Sequence, residues 1–143
     1  MPFRKTGSGG VEKTRGEWVH GRFGEVKHRV HEYGGEEYFV ECIGLSNQRE
    51  VLCGFLRLRL GRRGIAWIRE LHVYGQIVKT TGEGRLPMVQ SQGIGRRLVE
   101  IGLEISRVYG YRHVWVIAGE GTKCYYERLG FREGEWGYMV REV

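Results

Sequence analysis

One stretch of this 143-residue chain has the residue types and spacing to hold an anion: Gln90-Ser91-Gln92-Gly93-Ile94-Gly95-Arg96-Arg97. An extended apolar run precedes it and a helical pattern follows. Gly93 and Gly95 lack a Cβ, so a ligand could come close to the main chain there. A helix opening at that point has unpaired N–H groups and a partial positive charge in its first turn. Both suit a phosphate. Arg96 and Arg97 would oppose the helix dipole in that turn, and an anionic ligand would relieve the conflict. Short glycine motifs are common, so the stretch alone leaves an ordinary glycine-rich helix start equally open.

The elements that must position this stretch follow from periodicity. Ile94 to Tyr109 gives the cleanest helix, with Ile94, Leu98, Ile101, Ile105 and Val108 on one stripe and Gly110 as its stop. Upstream, Trp18, Phe23, Val26, Val30 and Tyr33 recur every three to five residues and predict an imperfect helix from about Arg22 to Gly34-Gly35. Glu36–Leu45 and Glu50–Leu60 read as strands joined by a turn. If Leu45 faces Glu50, Cys42 faces Cys53, within reach of a disulfide, although two reduced core thiols are favoured. Gly61-Arg62-Arg63-Gly64 is a tight basic turn. In the next strand, Ile65–Tyr74, strict alternation puts Ala66, Ile68, Glu70, His72 and Tyr74 on one face. A long connection, residues 75–89, leads to the glycine stretch. Residues 112–118 form a buried strand, 121–129 a short helix ended by Gly130, and 131–143 one or two strands.

Composition narrows the class. Hydrophobic residues are 41% and charged residues 28%, which fits one globular domain. The expected division is a mobile basic arm over 1–16 and a single domain over 17–143. No apolar run reaches the roughly 20 residues that span a bilayer. Met1 to Arg15 lacks the apolar core of a signal peptide, so the cytoplasm is the expected location. The net charge of +6 favours an anionic partner: nucleic acid, acidic lipid or an anionic cofactor. The three cysteines, Cys42, Cys53 and Cys124, have no metal-ligand spacing, so no metal is expected.

The order of elements brings two motifs together. Gln90-x-x-Gly93-x-Gly95 opens the long helix, and Tyr126-Glu127-Arg128-Leu129-Gly130-Phe131 ends the short one. This combination resembles the GNAT superfamily of N-acetyltransferases. Arg69-Glu70-Leu71-His72-Val73-Tyr74-Gly75 is similar to a signature of the acetyltransferase domain of the Elongator catalytic subunit. Gly54-Phe55-Leu56-Arg57-Leu58-Arg59, Ile117-Ala118-Gly119-Glu120-Gly121-Thr122, Gly137-Tyr138-Met139-Val140 and the long insertion before Gln90 extend the likeness over roughly residues 28 to 143. Ser91 stands where that family's motif usually has His. The radical-SAM domain of the Elongator subunit and its cluster-binding cysteines have no counterpart in these residues.

The resemblance implies the GNAT fold: a mixed, mostly antiparallel sheet, splayed at the acetyl-CoA site, with helices on both faces. It implies acetyl-CoA as cosubstrate, bound along Glu70, Leu71, His72 and Val73 and at Val89, Gln90, Ser91, Gln92, Gly93, Gly95 and Arg96, with Tyr126 near the thioester sulfur. Transfer to an amine needs a base, for which Glu70 and His72 are candidates. It needs an oxyanion donor, for which the Val73 N–H is suited, and a proton for the leaving thiolate, for which Tyr126 is the candidate. A strand carboxylate paired with an arginine is the competing reading of Glu70, and a core tyrosine that of Tyr126. Tyr125 would pack or touch substrate. Cys124 lacks a legible histidine partner, so direct transfer in a ternary complex is expected. The acceptor would be a protein lysine or α-amine, or an RNA-linked group. The alternative is a non-catalytic module that senses acyl-CoA and binds tRNA.

Overall fold

The computed structural model describes residues 13–21, 24–46, 48–74 and 88–143. The strands are β1 (Lys13–Gly21), β2 (Gly24–Tyr33), β3 (Glu37–Ser46), β4 (Arg49–Leu60), β5 (Ile65–Val73), β6 (His113–Ile117), β7 (Arg132–Glu133) and β8 (Tyr138–Glu142). The helices are α1 (Met88–Val108) and α2 (Lys123–Arg128). Most of the basic arm, residues 1–12, and most of the long connection, residues 75–87, lie outside the described residues. Strand β1 already begins at Lys13.

One sheet carries the eight described strands in the order β1-β2-β3-β4-β5-β6-β8-β7. Neighbours run antiparallel except β5 and β6, which are parallel. A parallel pair needs a crossover, and α1 provides it. The helix lies on β3, β4 and β5 with Leu98, Val99, Ile101 and Ile105 buried. Gly102 lets it approach closely: a Cβ there would stand 3.3 Å from Leu56 Cδ2. Leu56, Leu58, Ala66, Ile68, Val114, Val116 and Met139 form the sheet's side of that core. Removing one such aliphatic side chain costs about 2–5 kcal/mol.

The helix expected from Arg22 to Tyr33 is instead strand β2, paired with β3 from Val26↔Gly44 to Tyr33↔Glu37. Both faces of β2 are partly covered, with Val30 and His31 each buried. Two half-covered faces blur a period of two into spacings that mimic a helical stripe. One consequence bears on the expectation of helices on both faces. Among the described residues, Tyr126, Leu129 and Phe131 of the α2 region join the same core as α1. The opposite face of the sheet, called the outer face below, has no described helix.

Two β-bulges break simple alternation. Leu45 pairs with Glu50 as expected, but the register shifts between Cys42 and Ile43, so Cys42 faces Gly54 and Cys53 is the extra residue. Both are buried free thiols. The contact between them holds the Cys53 thiol below the usual thiol range and, with burial, pushes Cys42 up. The second bulge lies on β5: Leu58 pairs with Ile68 and Arg57 with Glu70, leaving Arg69 as the extra residue.

Candidate functional site

The Arg69 bulge re-aims the second half of β5. Before it, Ala66 and Ile68 point into the core; after it, Leu71 and Val73 do, opposite Leu56 and Gly54. Glu70 and His72 share a face as expected, but it is the outer face with Trp67, not that of Ala66 and Ile68. The pairing with β6 runs from Ile65↔His113 to Ile68↔Val116 and stops there. Beyond Ile68, β5 and β6 therefore part, and a slit opens between them.

Backbone polarity in the slit follows from the antiparallel ladder. Tyr74 N–H donates to Cys53 O at 2.9 Å. In such a ladder, residues alternate between facing their partner strand and facing away. Tyr74 and His72 face β4, so Leu71 and Val73 direct N–H and C=O toward the slit. Among the described residues this strand edge has no partner, and an extended amide-bearing ligand can join such an edge.

Helix α1 begins at Met88, six residues before the expected Ile94. Gly93 and Gly95 thus lie inside the helix, where their N–H groups have intrahelical acceptors. The free amides belong to the first turn, Met88 to Ser91. Of the expected binding stretch, Val89, Gln90 and Ser91 lie in that turn, whereas Gln92, Gly93, Gly95 and Arg96 lie beyond it, inside the helix. Arg96 and Arg97 are no longer first-turn residues, and Arg97 pairs with Glu100 at 3.5 Å. The glycines have other uses. Gly93 is exposed and a Cβ there would meet nothing within 4 Å. At Gly95 a Cβ would collide with the Tyr125 hydroxyl and lie 3.4 Å from Val73 Cγ2. Helix, strand edge and phenol therefore converge at one point at the open end of the slit.

The tyrosine pair divides. Tyr126 is 6% exposed and packs edge-on against Phe131 and Tyr125, with ring centroids 5.5 and 5.3 Å away. Burial, and then Tyr125 beside it, push its phenol up to about 12. Tyr125 is half-buried; burial raises its phenol too, and the Arg96 guanidinium works against that rise. The motif had pointed to Tyr126 alone. The signal for Tyr125 is Gly95, whose missing Cβ makes room for a hydroxyl from another element, and no spacing in the sequence connects them.

On the outer face, Glu70 is exposed and 3.7 Å from Arg57 Nη2. His72 is exposed, with its ring centroid 4.9 Å from Phe55 and 6.3 Å from Tyr74. Phe55 in turn stacks on Phe39 at 4.9 Å. Two titratable groups thus flank the slit on the outer side, while Tyr125 stands on the core side. Among the described residues no group of three or more His, Cys, Asp or Glu side chains could hold a metal.

No family model matches the chain. It is 32% identical over 141 residues to Elongator complex protein 3 of Danio rerio, covering 83% of this chain and 25% of that protein. For the Homo sapiens protein of the same name the identity is 33% over 140 residues, with 82% and 25% covered. The chain thus spans about a quarter of the length of the curated relatives it matches. Among solved structures, the archaeal Methanocaldococcus infernus Elp3 superposes with a TM-score of 0.58 at 24% identity, over 93% of this chain and 30% of that one. A GNAT-family acetyltransferase from Staphylococcus aureus gives 0.56 at 13% identity, over 74% and 67%. These likenesses give the fold.

Proposed function

We propose that this chain, which has the GNAT fold and is related to Elongator complex protein 3 along most of its own length, is an acetyl-CoA-dependent N-acetyltransferase. The observation that carries the reading is the parting of β5 from β6 after Ile68, which leaves the Leu71 and Val73 amides facing a slit. The pantetheine arm of a CoA thioester carries amides and can lie there as an added strand. Its diphosphate suits the free amides of Val89 to Ser91 at the start of α1. Exposed Gly93 leaves room beside them, and Arg96 adds positive charge.

The chemistry needs little else. The thioester carbonyl oxygen gains charge on attack, and the Val73 N–H, aimed into the slit, is suited to donate a hydrogen bond to it. The amine must arrive neutral, although a free lysine has a pKa near 10.4. Glu70 or His72 on the outer side can take its proton, directly or through water. Exposed Cys124 takes no covalent part, and transfer is direct. The acceptor is an amine on a protein or on an RNA-linked group, and the setting is cytoplasmic.

The tRNA-binding alternative draws on the basic charge. Of the arginines on the outer face, Arg29 pairs with Glu50 at 3.1 Å, Arg59 with Glu37 at 3.0 Å and Arg57 with Glu70 at 3.7 Å. That pairing lowers the free charge available to phosphates and favours the enzyme. Isothermal titration with acetyl-CoA tests the proposal: saturable heat, suppressed by CoA, is expected. Absence of heat, with tRNA retarded in a gel in a steeply salt-dependent way, would favour the alternative.

A further inference from the structure

We propose that Cys42 and Cys53 form a thiol–disulfide switch, closed by a hydroperoxide into a cross-strand disulfide that shifts the end of β5 lining the slit. Acetyl transfer uses neither thiol. The bulge on β4 brings them together. The register passes from Cys42↔Gly54 to Ile43↔Leu52, so Cys53 and Gly54 both stand opposite Cys42. Strict alternation would send these two residues to opposite faces. Here both lie on the core side. Cys53 is buried in the same cluster as Cys42, and a Cβ on Gly54 would meet Ile94 and Leu98 of α1. Glycine at position 44 makes room for the second thiol, since a Cβ there would stand 3.0 Å from Cys53 Sγ. Facing residues of antiparallel strands have Cα atoms about 4.5–5.5 Å apart, inside the range of about 4.4–6.8 Å that disulfides span.

Cys53 is also tied to the slit. Its carbonyl accepts the Tyr74 N–H at 2.9 Å, and the next residue, Gly54, faces Val73. Packing there has no slack: a Cβ on Gly54 would lie 2.7 Å from His72 O. Bringing the sulfurs from contact to covalent distance draws Cys53 toward β3. Either the bond to Tyr74 lengthens or the end of β5 follows, and both alter the edge formed by Leu71 and Val73. The oxidised chain is then the weaker binder of acetyl-CoA, a consequence that rests on the acetyltransferase reading above.

The oxidation balances with the hydroperoxide as the only co-reactant. The contact with Cys42 favours the Cys53 thiolate, which attacks first. A Cys53 S–O bond forms, the O–O bond breaks, and with hydrogen peroxide the departing hydroxide takes the thiol proton and leaves as water. Cys42 sulfur then attacks Cys53 sulfur. The S–S bond forms, the S–O bond breaks, and the hydroxide leaves as a second water with the Cys42 proton. Both thiols are buried, so the oxidant must be small and enter through local opening. A dithiol reverses the bond by exchange.

The test uses the full chain carrying Cys124→Ser, which removes the exposed thiol. Hydrogen peroxide should take two hydrogens from the intact mass, and a non-reducing digest should yield a peptide joined through Cys42 and Cys53. Dithiothreitol should reverse both. In the oxidised chain the Tyr74 amide should exchange about tenfold faster. The calorimetric Kd for acetyl-CoA should rise about tenfold, within the usual range for coupling between two sites. Cys42→Ala should abolish the mass loss and both shifts. An unchanged mass, or oxygen added at Cys53 with no joined peptide, would overturn the switch. So would a joined peptide with unchanged Tyr74 exchange, or with an unchanged Kd in a chain that binds acetyl-CoA when reduced. If the reduced chain does not bind acetyl-CoA, the acetyltransferase reading falls, while the mass and exchange measurements still decide the switch.

Discussion

The two halves of β5 behave as different materials. Ile65–Ile68 is held between β4 and β6, with Ala66 at 0% and Ile68 at 3% exposure. Five residues further, Val73 has a strand on one side and an opening on the other. The change happens at one inserted residue, Arg69. A bulge disrupts pairing and increases local twist, and here it coincides with the point where β6 departs. The first half contributes stability. The second exposes main chain that a ligand can satisfy.

Perturbing each half should give opposite signatures. Ile68→Ala, in the sealed half, should destabilise the fold by about 2–5 kcal/mol in denaturant melts. Val73→Pro, in the open half, removes one N–H aimed into the slit and leaves the ladder to β4 intact. Turnover should fall about 10²- to 10³-fold, the cost of one oxyanion donor, with the melting midpoint nearly retained. If Val73→Pro unfolds the chain as readily as Ile68→Ala does, the two halves are not distinct.

The sealed side also has a pH signature. His28 sits on the core face of β2, opposite Cys42. Burial, with the Arg97 cation near it, lowers its pKa from 6.5 to about 4. The ring is neutral when folded and charges more readily when unfolded. Stability should therefore be full above pH 6.5 and decline as pH falls from 6.5 toward 4. His28→Gln should flatten that decline in urea melts taken across this range. At the open half, Arg57→Ala removes the half-exposed partner of Glu70 and should change stability by under about 1 kcal/mol. A larger loss would mean that the outer face is more rigid than its exposure suggests.

Much of this was legible in the sequence because it is local. The apolar stripe from Leu98 to Ile105, the β3–β4 turn with Leu45 opposite Glu50, and the stops at Gly110 and Gly130 follow from spacing and from glycine at φ +83° and +86°. Strand β2 was read as a helix because what makes it a strand is its pairing with β3, which no window around Val30 contains. The bulges at Cys53 and Arg69 depend on the partner strand in the same way. Each shifts the pairing by one residue: Cys42 comes to face Gly54, and Leu71 turns toward the core. The spacing puts the start of the long helix at the glycine stretch, but the helix reaches back to Met88 and both glycines lie inside it. The meeting of Tyr125 with Gly95 arises from packing between elements and leaves no periodic trace.

The contrast between the halves of β5 is measured most directly by amide hydrogen exchange with and without acetyl-CoA. The Leu71 and Val73 amides should gain protection on addition of the thioester, while those of Ala66 to Ile68, already in the ladder, should not change. Unchanged exchange at Leu71 and Val73 under saturating acetyl-CoA would contradict the slit as the ligand's seat.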